Sequence, residues 1–232
     1  MNVPVCVPAP VFSQLFYTLF LSTHGEHPLL NSLRLWPQPL LGLDIQAEEI
    51  RLLQLHSIFK KNQIKKTFSL DLSSGAVIEG KIHDVHTVSD CLQELVQRNQ
   101  LQGAKAAIAL PTQCVMGRHL AVVKGLNEAE LEAEVVGHIR QCFPDAAEGL
   151  CYDYAITGPT ENLQEDVLWI ATPFANVEAP LAVVENAGLK IQVIDVAQYA
   201  LDRANNLIKK EGLSLEEKWR ISFGLALWGR CS

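Results

Sequence analysis

No two of the chain's six cysteines form a CxxC pair. Scattered over 232 residues, they are too sparse for a disulfide scaffold, and free thiols in a reducing compartment are expected. The histidine pairs in HGEH (24–27) and HDVH (83–86) have no cysteine or acidic cluster at ligand spacing beside them, so no metal site is expected. Excess positive charge is also absent. Against 26 acidic residues stand 19 Lys and Arg, giving a net charge of −7, so electrostatics supplies no reason to expect nucleic acid or anionic lipid as the main partner. The one basic strip, FKKNQIKK (59–66), alternates with apolar residues, as the exposed edge of a strand pair does. The apolar run Val11–Leu21 is too short to span a bilayer, and no Lys or Arg precedes it as in a signal peptide. No internal repeat or low-complexity segment stands out.

What is present suffices for a sizeable core, since 48% of the residues are hydrophobic. Prolines at 4, 8 and 10 argue against helix at the start. Residues 1–38 therefore read as an extension, with FSQLFYTLFL (12–21) as its packing segment. From residue 39 strands and helices alternate. Strands are expected over 40–45, 50–56 and 64–72, followed by a glycine-punctuated loop over 73–82 and a helix capped by Thr87 with Asp90 three residues on. KAAIALP (105–111) is a buried strand stopped by Pro111, and 113–123 another strand. LNEAELEAEVVGHIRQCF (126–143) is the clearest helix, with Asn127 and Glu130 as its capping box. Strands at 150–157 and 165–172 follow. A helix over 178–187 comes next, with Pro180 in its first turn and Gly188 at its end. A strand at 189–196, a helix closed by Gly212, and a tail helix opened by Ser214 and Glu217 complete the pattern. The domain reading is an extension (1–38), a first part of the main lobe (39–111), an inserted small unit (112–187) and a second part of the lobe (188–232). The class is α/β.

LGLDIQAEEIRLLQL (41–55) carries the sharpest functional question. Phosphate-gripping hairpins open in this way, with a strand ending in aspartate, but place glycine just beyond the Asp-Ile pair so that the backbone can turn tightly against a phosphate. Here Gln46 stands in that place and Glu48 and Glu49 follow. At about 5 Å and an effective dielectric near 20, each such carboxylate would oppose a phosphate charge by on the order of 3 kcal/mol.

Five stretches in register resemble the type IV pilus assembly protein PilM family, which is actin-like and related to FtsA. They are LGLDI (41–45), GAVIEGKIHD (75–84), AAIALP (106–111), LNEAELEAEV (126–135) and AGLKIQVIDVAQYALDRA (187–204), and ISFGLALWGR (221–230) is similar to the family's last helix. In the family a second actin-like lobe separates those last two segments. The resemblance therefore implies a truncated actin-like (ribonuclease H-like) lobe with an inserted strand-helix-strand-strand subdomain. It assigns Asp44 as the first-hairpin aspartate of an ATP and Mg²⁺ site that is degenerate here, so no cofactor and no enzyme activity are expected. It also implies a partner, the cytoplasmic tail of the inner-membrane protein PilN, lying in a groove between lobe and subdomain. Leu110, Pro111, Gly188 and Leu189, where the chain crosses between the two units, are the candidate groove residues. The expected role is a cytoplasmic adaptor peripheral to the inner membrane in pilus or DNA-uptake assembly. The alternatives are a nucleotide-binding protein completing its site by oligomerisation, and a remnant without activity. Self-association through an apolar face uncovered by the missing lobe is a further expectation.

Overall fold

A computed structural model describes residues 40–58, 61–144, 149–160 and 163–228. The extension 1–38, with its proposed packing segment, lies outside them. The alternating apolar pattern after residue 39 forms a meander of β1 (Leu41–Ile45), β2 (Glu49–Ile58) and β3 (Lys61–Asp71), each antiparallel to the last. The two apolar runs β6 (Lys105–Leu110) and β10 (Lys190–Val196) add in parallel beside β1, giving the order β10-β6-β1-β2-β3. Only β2 runs against the rest. Both faces of β1 are covered, which is why it reads as a near-continuous apolar run.

Two helices close each face. On one side α1 (Val85–Arg98) and α3 (Ala175–Asn186) place Val88, Leu92, Leu95, Val96, Val183 and Val184 against Leu41, Leu43, Ile50, Leu52 and Ile108. On the other lie α4 (Ala197–Glu211) and α5 (Arg220–Ala226), whose Ala200, Ala204, Phe223 and Leu225 meet Leu53, Leu55, Ala107 and Val193. Residues 212–219 pass directly from α4 to α5, and α5 is buried from Ser222 to Ala226. Its approach to the sheet depends on glycine. A side-chain carbon at Gly42 would fall 1.8 Å from the Ser222 carbonyl oxygen, and one at Gly224 would fall 1.8 Å from that of Ala200. Arg203 on α4 ties the layers together, donating to Asp195 on β10 and to the Gly224 carbonyl, each at 2.9 Å.

Local chemistry moves several expected boundaries. The cap of α1 is Asp84, whose carboxylate accepts both the Thr87 N–H and its hydroxyl, so Thr87 lies inside the helix it was expected to open. The loop expected over 73–82 contains a small hairpin, β4 (Val77–Ile78) with β5 (Lys81–Ile82). Its two-residue turn, Glu79-Gly80, has φ of 51° and 76°, the left-handed pair that such turns require. Helix α3 starts at Ala175 because the Phe174 carbonyl accepts the N–H groups of Val177 and Glu178, which puts Pro180 inside the helix. It ends in a Schellman motif, with Gly188 at φ 79° and the Leu189 N–H reaching the Val184 carbonyl. The Ser214–Glu217 capping box does not form: a 3-10 turn, Glu217–Trp219, leads into α5 without a side-chain cap.

After β6 the chain leaves the main sheet through a 3-10 turn, Thr112–Cys114. It then builds β7 (Met116–Val123), α2 (Glu128–Cys142), β8 (Leu150–Pro159) and β9 (Gln164–Pro173), with strand order β7-β9-β8. The Asn127–Glu130 capping box of α2 forms in both directions. Leu131, Val135 and Ile139 cover Val122, Val167, Trp169 and Ala171, and the buried Trp169 indole donates to His138 Nδ1 on α2 at 3.0 Å. The chain returns to the main lobe after Pro173. Helix α3, expected within the small unit 112–187, packs Val183, Val184 and Ala187 into the main core instead. The junction is apolar, joining Leu110, Val177 and Leu181 to Val115, Cys151, Phe174 and Ile194. It is pinned by Thr172, whose hydroxyl donates to the Cys114 carbonyl at 2.7 Å, and by Asn176, which donates to both.

Candidate functional site

Asp44 ends β1 on the face shared with Gly42. Its carboxylate is buried and taken up by its own hairpin. Gln46 Nε2 donates to Oδ1 at 2.6 Å, and Arg51, its cross-strand neighbour, approaches Oδ2 at 3.4 Å. Burial pushes the Asp44 carboxyl above its ordinary range against the pull of Gln46 and Arg51. Arg51 also holds Glu49 at 2.7 Å. Burial would raise the Glu49 carboxyl, but hydrogen bonds from Ser69 and Arg51 outweigh it and hold that carboxyl low. In the place where a phosphate hairpin has glycine, Gln46 thus supplies a side chain that closes on the aspartate.

The four groove candidates do not come together. Strands β6 and β10 are parallel with Lys105 opposite Lys190 and Leu110 opposite Val196. Leu110–Pro111 and Gly188–Leu189 therefore sit at opposite ends of a six-residue strand, roughly 20 Å apart at about 3.3 Å per residue. Leu110 is core beside Val177 and Leu181, and Leu189 is core beside α1 and α3. Pro111 lies against the β4–β5 turn: a side-chain carbon at Gly80 would meet its Cγ at 2.8 Å, and Gln113 donates to the Glu79 carbonyl at 2.8 Å. Gly188 is exposed as the helix stop. The chain returns to the main lobe at 173–174 rather than at 188, so residue 188 lies wholly within that lobe.

What does confront the main lobe is the face of the small sheet turned away from α2. Its residues follow from strand alternation. Gly117 pairs with Ile170, which pairs with Asp153; His119 pairs with Leu168, which pairs with Ala155. At the β7 edge Gly117, His119 and Ala121 are exposed. A side-chain carbon at Gly117 would stand 3.9 Å from the Tyr199 hydroxyl on α4, so this end of the edge lies within contact distance of the main lobe. Toward β8 the face closes: Leu168, Ile170 and Ala155 are buried, and Asp153 is 1% exposed. His119 Nδ1 and the Thr157 hydroxyl both bind Asp166 Oδ2, at 2.6 and 2.5 Å. Sequence reasoning missed this face. The signal was CYDYAI, where an aspartate occupies the same strand phase as Cys151 and Ala155.

A family model described as "Type IV pilus assembly protein PilM" matches residues 42–220. Among solved structures, a "PilM-PilN type IV pilus biogenesis complex" superposes with a TM-score of 0.60 at 22% identity, covering 74% of this chain and 50% of that one. The chain thus spans about half the length of that relative, and the superposition shows the actin-like, ribonuclease H-like fold of its lobe. The cytoplasmic domain of EpsL, an inner-membrane component of the type II secretion system of Vibrio cholerae, matches at TM-score 0.44 and 9% identity over 70% of this chain and 59% of that one. Thermus thermophilus RuvC matches at 0.37 and 9% identity over 82% and 92%.

Proposed function

This chain belongs to the family of type IV pilus assembly proteins PilM, and on that premise we propose that it is an adaptor that docks the cytoplasmic tail of a PilN-like inner-membrane protein. The docking place is the cleft between the outer face of the small sheet and α4. The observation that carries this reading is the exposed β7 edge at Gly117, His119 and Ala121, bordered by Tyr199 of the main lobe and by apolar Leu168 and Ile170. An extended peptide laid there gains affinity from backbone hydrogen bonds and register from side-chain pockets. Among the described residues no helix is long and apolar enough to cross a membrane, and on this reading the protein reaches the membrane through its partner.

The same reading includes no catalysis and no bound nucleotide. A Mg²⁺-ATP site of actin-like type needs a carboxylate free to orient the hydrated metal and a backbone free to approach phosphate. Gln46 and Arg51 take the Asp44 oxygens, and Glu48 and Glu49 crowd the turn with negative charge, so the residues present do not suit the group. Calorimetric titration with a synthetic peptide of the companion PilN-like tail, run beside a titration with Mg-ATP, tests both parts. Peptide binding without ATP binding is the expected result. Micromolar ATP binding, with or without dimerisation, contradicts the reading of the hairpin. Silence toward the peptide contradicts the adaptor.

A further inference from the structure

Among the described residues, Asp153 carries a buried carboxyl oxygen that the fold does not explain. It sits on β8 among apolar neighbours, on the face turned away from α2. Its Oδ1 accepts the Tyr154 N–H at 2.8 Å, while Oδ2 is buried with no hydrogen-bond partner. A buried, unsatisfied carboxyl oxygen is costly and native chains seldom keep one without use. Any apolar residue would complete this face better. Chains break local packing rules of this kind chiefly at functional sites.

The row Gly117–Ile170–Asp153 runs from the exposed β7 edge to this oxygen beneath buried neighbours, so a docked side chain reaches it only as the closed side of the face opens. The partner segment has a chemistry of its own. Cytoplasmic stretches close to a membrane span carry an excess of Lys and Arg, whereas this chain carries a net charge of −7. We propose that Asp153 is the specificity-determining anchor of the cleft, accepting a lysine or arginine side chain of the docked tail at its unpartnered Oδ2. This rests on the adaptor reading above and names the chemistry that the cleft selects.

The geometry has a proton consequence. Burial, against the pull of the Tyr154 N–H, pushes the Asp153 carboxyl up to about 8, so the free protein holds it neutral at pH 7. Pairing with an ammonium or guanidinium group requires the ionised form, and docking then releases a proton. The other titratable groups on this face are Cys151 beside it on β8, the His119–Asp166 pair, and Tyr199 across the cleft. Burial raises the Cys151 thiol and the Tyr199 phenol, which keeps both neutral over the same range, and the Asp153 variants separate the carboxyl from the His119–Asp166 pair.

The test is the affinity of the PilN-like tail peptide for the whole chain from pH 6 to pH 8, with wild type, Asp153→Asn and Asp153→Leu. Peptides in which each Lys or Arg is replaced in turn by an uncharged isostere are measured alongside. Wild-type affinity is expected to rise roughly tenfold per pH unit below pH 7. Both variants should bind at least tenfold more weakly at pH 8 with a flat profile, while melting no lower than wild type. One peptide replacement should reproduce that loss and have no further effect in the variants. Tight, pH-independent binding by wild type, or undiminished binding by a folded variant, overturns the anchor and leaves the adaptor standing. Absence of wild-type binding at every pH overturns both.

Discussion

The Gln46 side chain donates a 2.6 Å hydrogen bond to the carboxylate of Asp44 two residues before it. Together with Arg51, that contact makes the end of β1 a self-contained polar cluster. Replacing Arg51 by methionine leaves both Asp44 and Glu49 without their cation. Stability should fall by about 2–3 kcal/mol, read by urea unfolding, and Asp44→Asn in the same chain should recover part of it. Mg-ATP should shift the melting temperature of none of these proteins. A nucleotide-dependent shift in wild type would show that the cluster opens.

Gly42 and Gly137 make opposite predictions from the same substitution. Alanine at Gly42 would drive its methyl group into the Ser222 carbonyl. Since α5 is held between the sheet and α4, the loss should be about 3 kcal/mol or more. Gly137 lies in the interior of α2, exposed and with no atom within 4 Å of an added carbon, so alanine there should stabilise by about 0.5–1 kcal/mol. Paired melting curves decide the matter. A harmless Gly42→Ala would mean that α5 is not seated as described.

Asp153 also predicts how stability varies with pH. Its carboxyl is raised in the folded chain from 3.8 to about 8. Between those values the unfolded chain has released a proton that the folded chain keeps, so its contribution is full below about pH 4, declines as pH rises, and is lost by about pH 8. Asp44 and Asp195, also raised by burial against their arginine partners, act in the same direction. Asp153→Asn should flatten the profile and raise the melting temperature most at pH 8. An unchanged slope would place the carboxyl in water.

Much of the architecture could be read from periodicity. The meander over 41–71 and helix α2 follow from alternation and from the Asn127–Glu130 box, signals that lie within a few residues of one another. The parts that failed depend on distant contacts. Thr87 looked like a cap until Asp84, one turn earlier, took its N–H and hydroxyl. Pro180 looked like a helix start, but the Phe174 carbonyl had already begun the turn. The groove residues were misplaced because no local pattern shows that β6 and β10 are parallel, which puts residues 110 and 188 at opposite ends. The opposition of Gly117 and Tyr199 is a tertiary fact, although the aspartate in CYDYAI was visible on the wrong phase of its strand.

The central claim is that the cleft beside β7, rather than the end of β1, receives the partner. Amide chemical-shift mapping of the labelled chain during titration with the PilN-like tail peptide tests this most directly. Perturbations centred on Gly117, His119, Ile170 and Tyr199, with Asp44 and Gln46 unmoved, are the predicted result. Perturbations centred on the β1–β2 hairpin, or spread over the β3 edge with the cleft silent, would contradict it.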